Sequence, residues 1–250
     1  MKDFITGLQF LTRIRFFRED TWTAERFGRS VVFFPLVGAV IGLVLVAVYL
    51  IVEQYLPLAG ISFSRHILAT LLVAAHIIVT GGLHCDGFMD TIDGIFSGRP
   101  RERMLEIMKD SRVGANGVTA FILFVLMKWS FLMDISLEFL PGAIFLMPVL
   151  GRLCMVVGIT CFDYARADGM GKAFNQYAGK QSLYIALFYS LIIVVLFGKQ
   201  ALFAGFAAVC CGLLFAGYIS RILHGLTGDA YGAITEVTEL LVLFFYVLLF

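Results

Sequence analysis

Three aspartates stand at i, i+4 and i+7 in the run Gly81-Gly82-Leu83-His84-Cys85-Asp86-Gly87-Phe88-Met89-Asp90-Thr91-Ile92-Asp93-Gly94. On a helix Asp86, Asp90 and Asp93 fall at about 0°, 40° and −20° around the axis, so their carboxylates share one face. No Lys or Arg occurs between Val73 and Ser97 to neutralise them. Three clustered anions need a cation, and an all-oxygen donor set favours a hard ion such as Mg²⁺. The spacing predicts a metal site at a membrane boundary, because the motif follows directly on an apolar run.

Three further polar segments could complete such a site. In Arg101–Gly117, Pro100 suits the start of a short helix that would return Asp110 and Arg112 to the triad. Asp110 is then a fourth carboxylate for one or two metals, and with Asp93 a candidate general base. Arg112 could clamp a phosphate bidentately, and Gly114 and Gly117 let backbone N–H groups approach an anion. Arg101 and Arg103 read as ordinary loop charges. In Gly169-Met170-Gly171-Lys172, a mobile loop could present Lys172 to a phosphate, or simply form a solvated connection. In Gly225–Glu239, a helix from Asp229 would set Glu236 on the same face and Glu239 one turn further along. Acids entering a membrane helix must pair, here with Lys128 or Arg152, or bind substrate or metal. His84 adjoins the carboxylates and is a candidate substrate contact, whereas His66, His76 and His224 have no ligand spacing. Cys85 beside His84 lacks the second Cys/His pair that zinc would need, and the other four cysteines lie in apolar runs.

The elements that must position these residues are membrane helices. The chain has 250 residues, 60% of them hydrophobic and 15% charged, with a mean hydropathy of +0.92. That is too apolar for a soluble domain, and a net charge of +1 with scattered basic residues argues against nucleic-acid binding. Seven spans are expected: 31–52, 67–83, 118–133, 140–161, 183–197, 201–219 and 232–250, the helix of the second continuing into the aspartate motif. Phe4–Phe17 reads as an interfacial amphipathic helix, and Gly38-x-x-x-Gly42 as a close helix contact. The first apolar run starts too late and runs too long for a cleaved signal peptide. Fifteen Lys and Arg residues fall in the N-terminal segment and alternate loops, against Arg65 and Lys199 on the other side. This asymmetry puts the N-terminus in the cytoplasm, and with it segments 84–117, 162–182 and 221–239. The expected whole is one all-α membrane-embedded catalytic domain over 1–250, with 1–30 cytoplasmic or interfacial.

The sequence closely resembles the cobalamin synthase family, the adenosylcobinamide-GDP ribazoletransferases. The likeness rests on Phe34-Pro35-Leu36-Val37-Gly38, Gly81 through Gly94, Arg103 through Gly117, and Gly225 through Glu239. The joint pattern His84-x-Asp86-Gly87-x-x-Asp90-x-x-Asp93-Gly94 and Lys109-Asp110-Ser111-Arg112-x-Gly114 is highly specific. The resemblance implies that α-ribazole, or its 5′-phosphate, is joined to adenosylcobinamide-GDP, giving adenosylcobalamin or its 5′-phosphate and GMP. It further implies Mg²⁺ dependence and the cytoplasmic (inner) membrane of a bacterium or archaeon, and it allows a homo-oligomer or association with other cobalamin-assembly enzymes. The resulting site is Asp86, Asp90, Asp93 and Asp110 on metal, with His84, Lys109, Arg112, Lys172, Asp229, Glu236 and Glu239 toward substrate. Asp90-x-x-Asp93-Gly94 also opens the CDP-alcohol phosphotransferase motif. Ser97-Gly98-Arg99 stands where that motif continues with Ala-Arg, and only Asp110 appears near its second aspartate pair. A cation transporter is a third reading, but it needs acids along the whole crossing rather than crowded at one face.

Overall fold

The computed structural model describes residues 2–15 and 23–250. It is 81% helical, and no strand occurs among the described residues. Helices run in chain order: α1 Lys2–Leu11, α2 Ala24–Ser30, α3 Phe34–Leu50, α4 Leu56–Leu58, α5 Arg65–Thr80, α6 Leu83–Phe96, α7 Arg101–Ile107, α8 Ala115–Asp134, α9 Leu140–Cys161, α10 Met170–Tyr177, α11 Lys180–Leu196, α12 Gly198–Leu223 and α13 Gly228–Leu249. A 3₁₀ turn joins α2 to α3 and a π turn joins α3 to α4. Of the expected interfacial helix, Lys2–Leu11 is helical, while Phe16 and Phe17 lie outside the described residues.

Five helices are long and apolar enough to cross a membrane: Ala24–Leu58, Ala115–Asp134, Leu140–Cys161, Gly198–Leu223 and Gly228–Leu249. Two bent pairs, α5 with α6 and α10 with α11, bring the number to seven if each is one span. The α5–α6 pair corrects one expectation, because the helix does not run on into the aspartate motif. Gly81 (φ 65°) and Gly82 (φ 70°) both adopt the left-handed region, which a side chain disfavours, and the axis turns by 90°.

Helices α9 and α13 form the centre, and α8, α11 and α12 turn apolar side chains such as Leu126, Phe188 and Phe206 outward toward lipid. Small residues set the central contacts. At Gly42 a Cβ would lie 2.6 Å from the carbonyl oxygen of Phe145, so the predicted small-residue pair in α3 does seat α3 against α9. Toward the N-terminus, Phe10, Phe27, Phe34 and Phe174 interlock with ring centroids 5.2–5.6 Å apart, tying α1, α2 and α3 to α10.

Candidate active site

The corner at Gly81-Gly82 lays α6 against α13, and Gly87 fixes how close they come. A Cβ there would lie 2.7 Å from the carbonyl oxygen of Asp229, so only glycine allows the approach. Asp229 in the first turn of α13 is thereby added to the triad: Asp86, Asp93 and Asp229 all act electrostatically on Asp90. Asp86 is exposed and Asp90 half-buried, and neither carboxylate takes a hydrogen bond or ion pair among the described residues.

Asp93 shares their helical face but not their surroundings. It is buried, with Oδ2 accepting the N–H of Gly114 at 2.7 Å and Oδ1 that of Gly117 at 2.8 Å. These are unpaired N-terminal amides of α8, whose own Gly114 offers no capping side chain.

Arg166, passed over in the sequence, is the one guanidinium that reaches the cluster among the described residues. Leu226 N–H donates to Asp163 O and Ala165 N–H to Leu226 O, both at 2.8 Å, zipping the loop before α10 to the loop before α13. The zipper sets Arg166 Nη2 2.7 Å from Asp229 Oδ2. Arg101 reinforces it by donating from Nε to Leu223 O at 2.7 Å and from Nη2 to Ala165 O at 2.9 Å. It is therefore a tie between α7, α12 and the loop, not the ordinary loop charge expected.

The other sequence candidates separate. Asp110 meets Arg112 rather than the triad: Nε donates to Oδ1 at 3.0 Å and Nη2 to Oδ2 at 2.7 Å. The guanidinium holds the Asp110 carboxyl down at about 2. Arg112 is 88% exposed, and Lys109 is exposed on the turn after α7. Lys172 lies in the first turn of α10, not in an open loop, and its ammonium donates to Ala167 O.

Glu236 and Glu239 take the pairing alternative. Lys128 Nζ donates to Glu236 Oε2 at 3.1 Å and Glu239 Oε2 at 2.9 Å, and Arg152 Nη1 donates to Glu239 Oε1. His76, read as merely structural, joins them: its Nδ1 is 3.2 Å from Lys128 Nζ and its Nε2 3.1 Å from Glu239 Oε2. All are buried, and with neutral histidines their charges sum to zero. His76, Glu236 and Glu239 are close enough together to hold a metal, but the Lys128 ammonium already serves all three.

This network extends to the carboxylate site through His84. Arg152 Nη2 lies 3.1 Å from His84 Nδ1, and a guanidinium only donates, so Nδ1 accepts and the ring proton sits on Nε2. Nε2 has no partner, nor does the buried hydroxyl of Tyr231, another residue the sequence did not single out. Both residues line a cavity of about 110 Å³ with Asp86 and Asp229. A second cavity, of about 620 Å³, shares Asp86, Leu83 and Phe10 with it and is also lined by Arg13 and Arg15.

Asp86, Asp90, Asp93 and Asp229 supply the all-oxygen donors that a hard divalent cation prefers, beside the guanidinium of Arg166, but among the described residues only His76, Glu236 and Glu239 have their ligand atoms drawn together at metal-binding distance. Two cavities meet at Asp86. Comparison with known proteins gives the family. Curated relatives named adenosylcobinamide-GDP ribazoletransferase include one from Desulfitobacterium hafniense, 39% identical over 97% of this chain and 95% of its own. Another, from Acetivibrio thermocellus, is 37% identical over 98% of both chains. A third, from Fusobacterium nucleatum, is 34% identical over 100% of this chain and 98% of its own. No solved structure matches. Residues 3–247 match the family described as cobalamin-5-phosphate synthase, so the chain belongs to that family of transferases.

Proposed function

We propose that the protein is an adenosylcobinamide-GDP ribazoletransferase acting in the last steps of cobalamin biosynthesis. It joins adenosylcobinamide-GDP to α-ribazole or its 5′-phosphate and releases GMP. The observation that carries this reading, within this family, is the carboxylate cluster of Asp86, Asp90, Asp93 and Asp229 with two cavities that share Asp86 in their walls.

In the reaction an acceptor hydroxyl attacks the phosphorus attached to the cobinamide arm, a new P–O bond forms, and the P–O bond to GMP breaks. Asp86, Asp90, Asp93 and Asp229 would hold Mg²⁺, which when bound supplies positive charge to the diphosphate. The carboxylate left partly free takes the hydroxyl proton. Asp90, with no hydrogen bond of its own, suits that role better than Asp93, whose oxygens cap α8, or Asp110, paired with Arg112. His84 Nε2–H and the Tyr231 hydroxyl supply donors in the smaller cavity. Arg152 orients His84, and Glu236 and Glu239 hold Arg152 and Lys128 in place. That neutralised network also weakens the transporter alternative, because it leaves no free buried acid along α13.

The excess of loop Lys and Arg supports a site on the cytoplasmic side of the inner membrane. A periplasm-dependent reporter fused after Phe250 should be active and one fused after Gly98 silent, and the reverse would move the site outside. The reaction is tested with purified protein in detergent, adenosylcobinamide-GDP and α-ribazole, with and without Mg²⁺. GMP release only with Mg²⁺ is expected. No release with both substrates and Mg²⁺ present would overturn the assignment.

A further inference from the structure

The cavity of about 620 Å³ differs in charge from its smaller neighbour. Its charged walls are Arg13, Arg15 and Asp86, whereas the smaller cavity has Asp86 and Asp229 and neither Lys nor Arg. Asp86 thus divides a cationic space from an acidic one.

Arg13 is built into its position. Its N–H donates to Val79 O at 2.7 Å, fastening the end of α1 to the end of α5. Thr12 steadies the turn, with Oγ1 donating to Leu8 O at 2.6 Å and accepting the N–H of Ile14 at 3.1 Å. The Arg13 guanidinium then lies over Gly81, where any Cβ would collide with it. Arg103, Arg112, Arg152 and Arg166 each hold a carboxylate. Arg13 and Arg15 hold none among the described residues, although both are exposed. Two guanidinium groups that meet no carboxylate among the described residues, in a cavity of ligand size, prefer an anion with several oxygens, and a phosphoryl group matches their planar donors.

We propose that Arg13 and Arg15 form a phosphoryl-binding subsite for a soluble substrate, in the cavity that shares Asp86 with the cavity of His84. The proposal rests on the transferase reading for its substrates: the group is the 5′-phosphate of the acceptor or the diphosphate of the donor. The subsite holds the anion within reach of the carboxylate cluster without taking part in bond making.

The binding test needs no turnover. Inorganic phosphate is titrated into the protein in a phosphorus-free detergent and its ³¹P line width is followed. The wild type should broaden the line, and R13Q/R15Q should lose the effect, with R103Q as a control that keeps it. That result supports the subsite even if no GMP is ever released, which separates it from the transferase assignment. No broadening by the wild type, or equal broadening by the double variant, overturns the subsite. R15Q alone, at an exposed position, covers the case in which the double variant does not fold.

Kinetics then identify the source of the phosphate. A KM raised about tenfold for α-ribazole 5′-phosphate and unchanged for α-ribazole assigns it to the acceptor. A KM raised for adenosylcobinamide-GDP with either acceptor assigns it to the donor. Unchanged KM values throughout overturn the proposal and leave the two arginines to lipid headgroups.

Discussion

The carboxylate of Asp93 caps a helix to which it does not belong, accepting the N–H of Gly114 at 2.7 Å and of Gly117 at 2.8 Å. A Cβ on either glycine would run into that carboxylate. The aspartate motif on α6 is thereby locked to the start of α8, where the Lys109–Gly117 segment ends. The third aspartate therefore has a structural duty that the first two lack.

Asp93→Ala should lower stability by about 1–2 kcal/mol, the usual cost of losing a capping side chain. Asp86→Asn should leave thermal unfolding in detergent unchanged, since the Asp86 carboxylate has no hydrogen bond or ion pair among the described residues. A wild-type melting temperature for Asp93→Ala would show that the cap contributes nothing.

The metal assignment can be read without turnover. Mg²⁺ that binds only the folded protein raises its stability by about 2.7 kcal/mol at a hundredfold excess over Kd. That upward shift in melting temperature should appear in the wild type and shrink in Asp86→Asn and Asp90→Asn, with GMP release lost in both. Equal Mg²⁺ shifts in all three proteins would remove these residues from the metal.

Much of this was legible in the chain. The ninth helix, Leu140–Cys161, has its predicted limits, because an apolar run whose one charged residue is Arg152 ends in a polar segment. The pairing of Glu236 and Glu239 with Lys128 and Arg152 was readable too, since acids and bases inside a membrane need each other. Residues brought in by tertiary packing were not. Asp229 reaches Asp90 because Gly87 lets α6 approach α13, and Arg166 reaches Asp229 because two loops zip together. No spacing rule connects 87 with 229 or 163 with 226. Helical periodicity also groups Asp93 with Asp86 and Asp90, but it cannot show that amides from a later segment occupy its oxygens.

The buried network is neutral only as a set. Lys128→Met leaves Glu236 without a cation and removes one of two cations from Glu239. Breaking a buried pair this way costs about 3–5 kcal/mol. Adding Glu236→Gln restores the charge balance and should recover a large part of the loss. If both proteins unfold at the same temperature as the wild type, the network is not a stabilising unit.

The last prediction turns on Arg112, whose guanidinium is spread across both oxygens of Asp110 while 88% exposed. An arginine so placed can exchange its carboxylate for a substrate phosphate of the same bidentate geometry, at little desolvation cost. A lysine can supply charge but not the planar fork. Arg112→Lys should therefore raise KM for adenosylcobinamide-GDP while leaving the fold intact. The comparison must be Arg103→Lys, because Arg103 is 64% exposed and its guanidinium is paired with Glu106 one turn away. Arg101 cannot serve as that control: it spans Leu223 and Ala165, so its substitution should lower thermal stability and disturb the loop that carries Arg166. Steady-state GMP release by the Arg112 and Arg103 lysine variants, measured side by side with their melting temperatures, checks the clamp. Equal KM values in the two would confine Arg112 to its pair with Asp110.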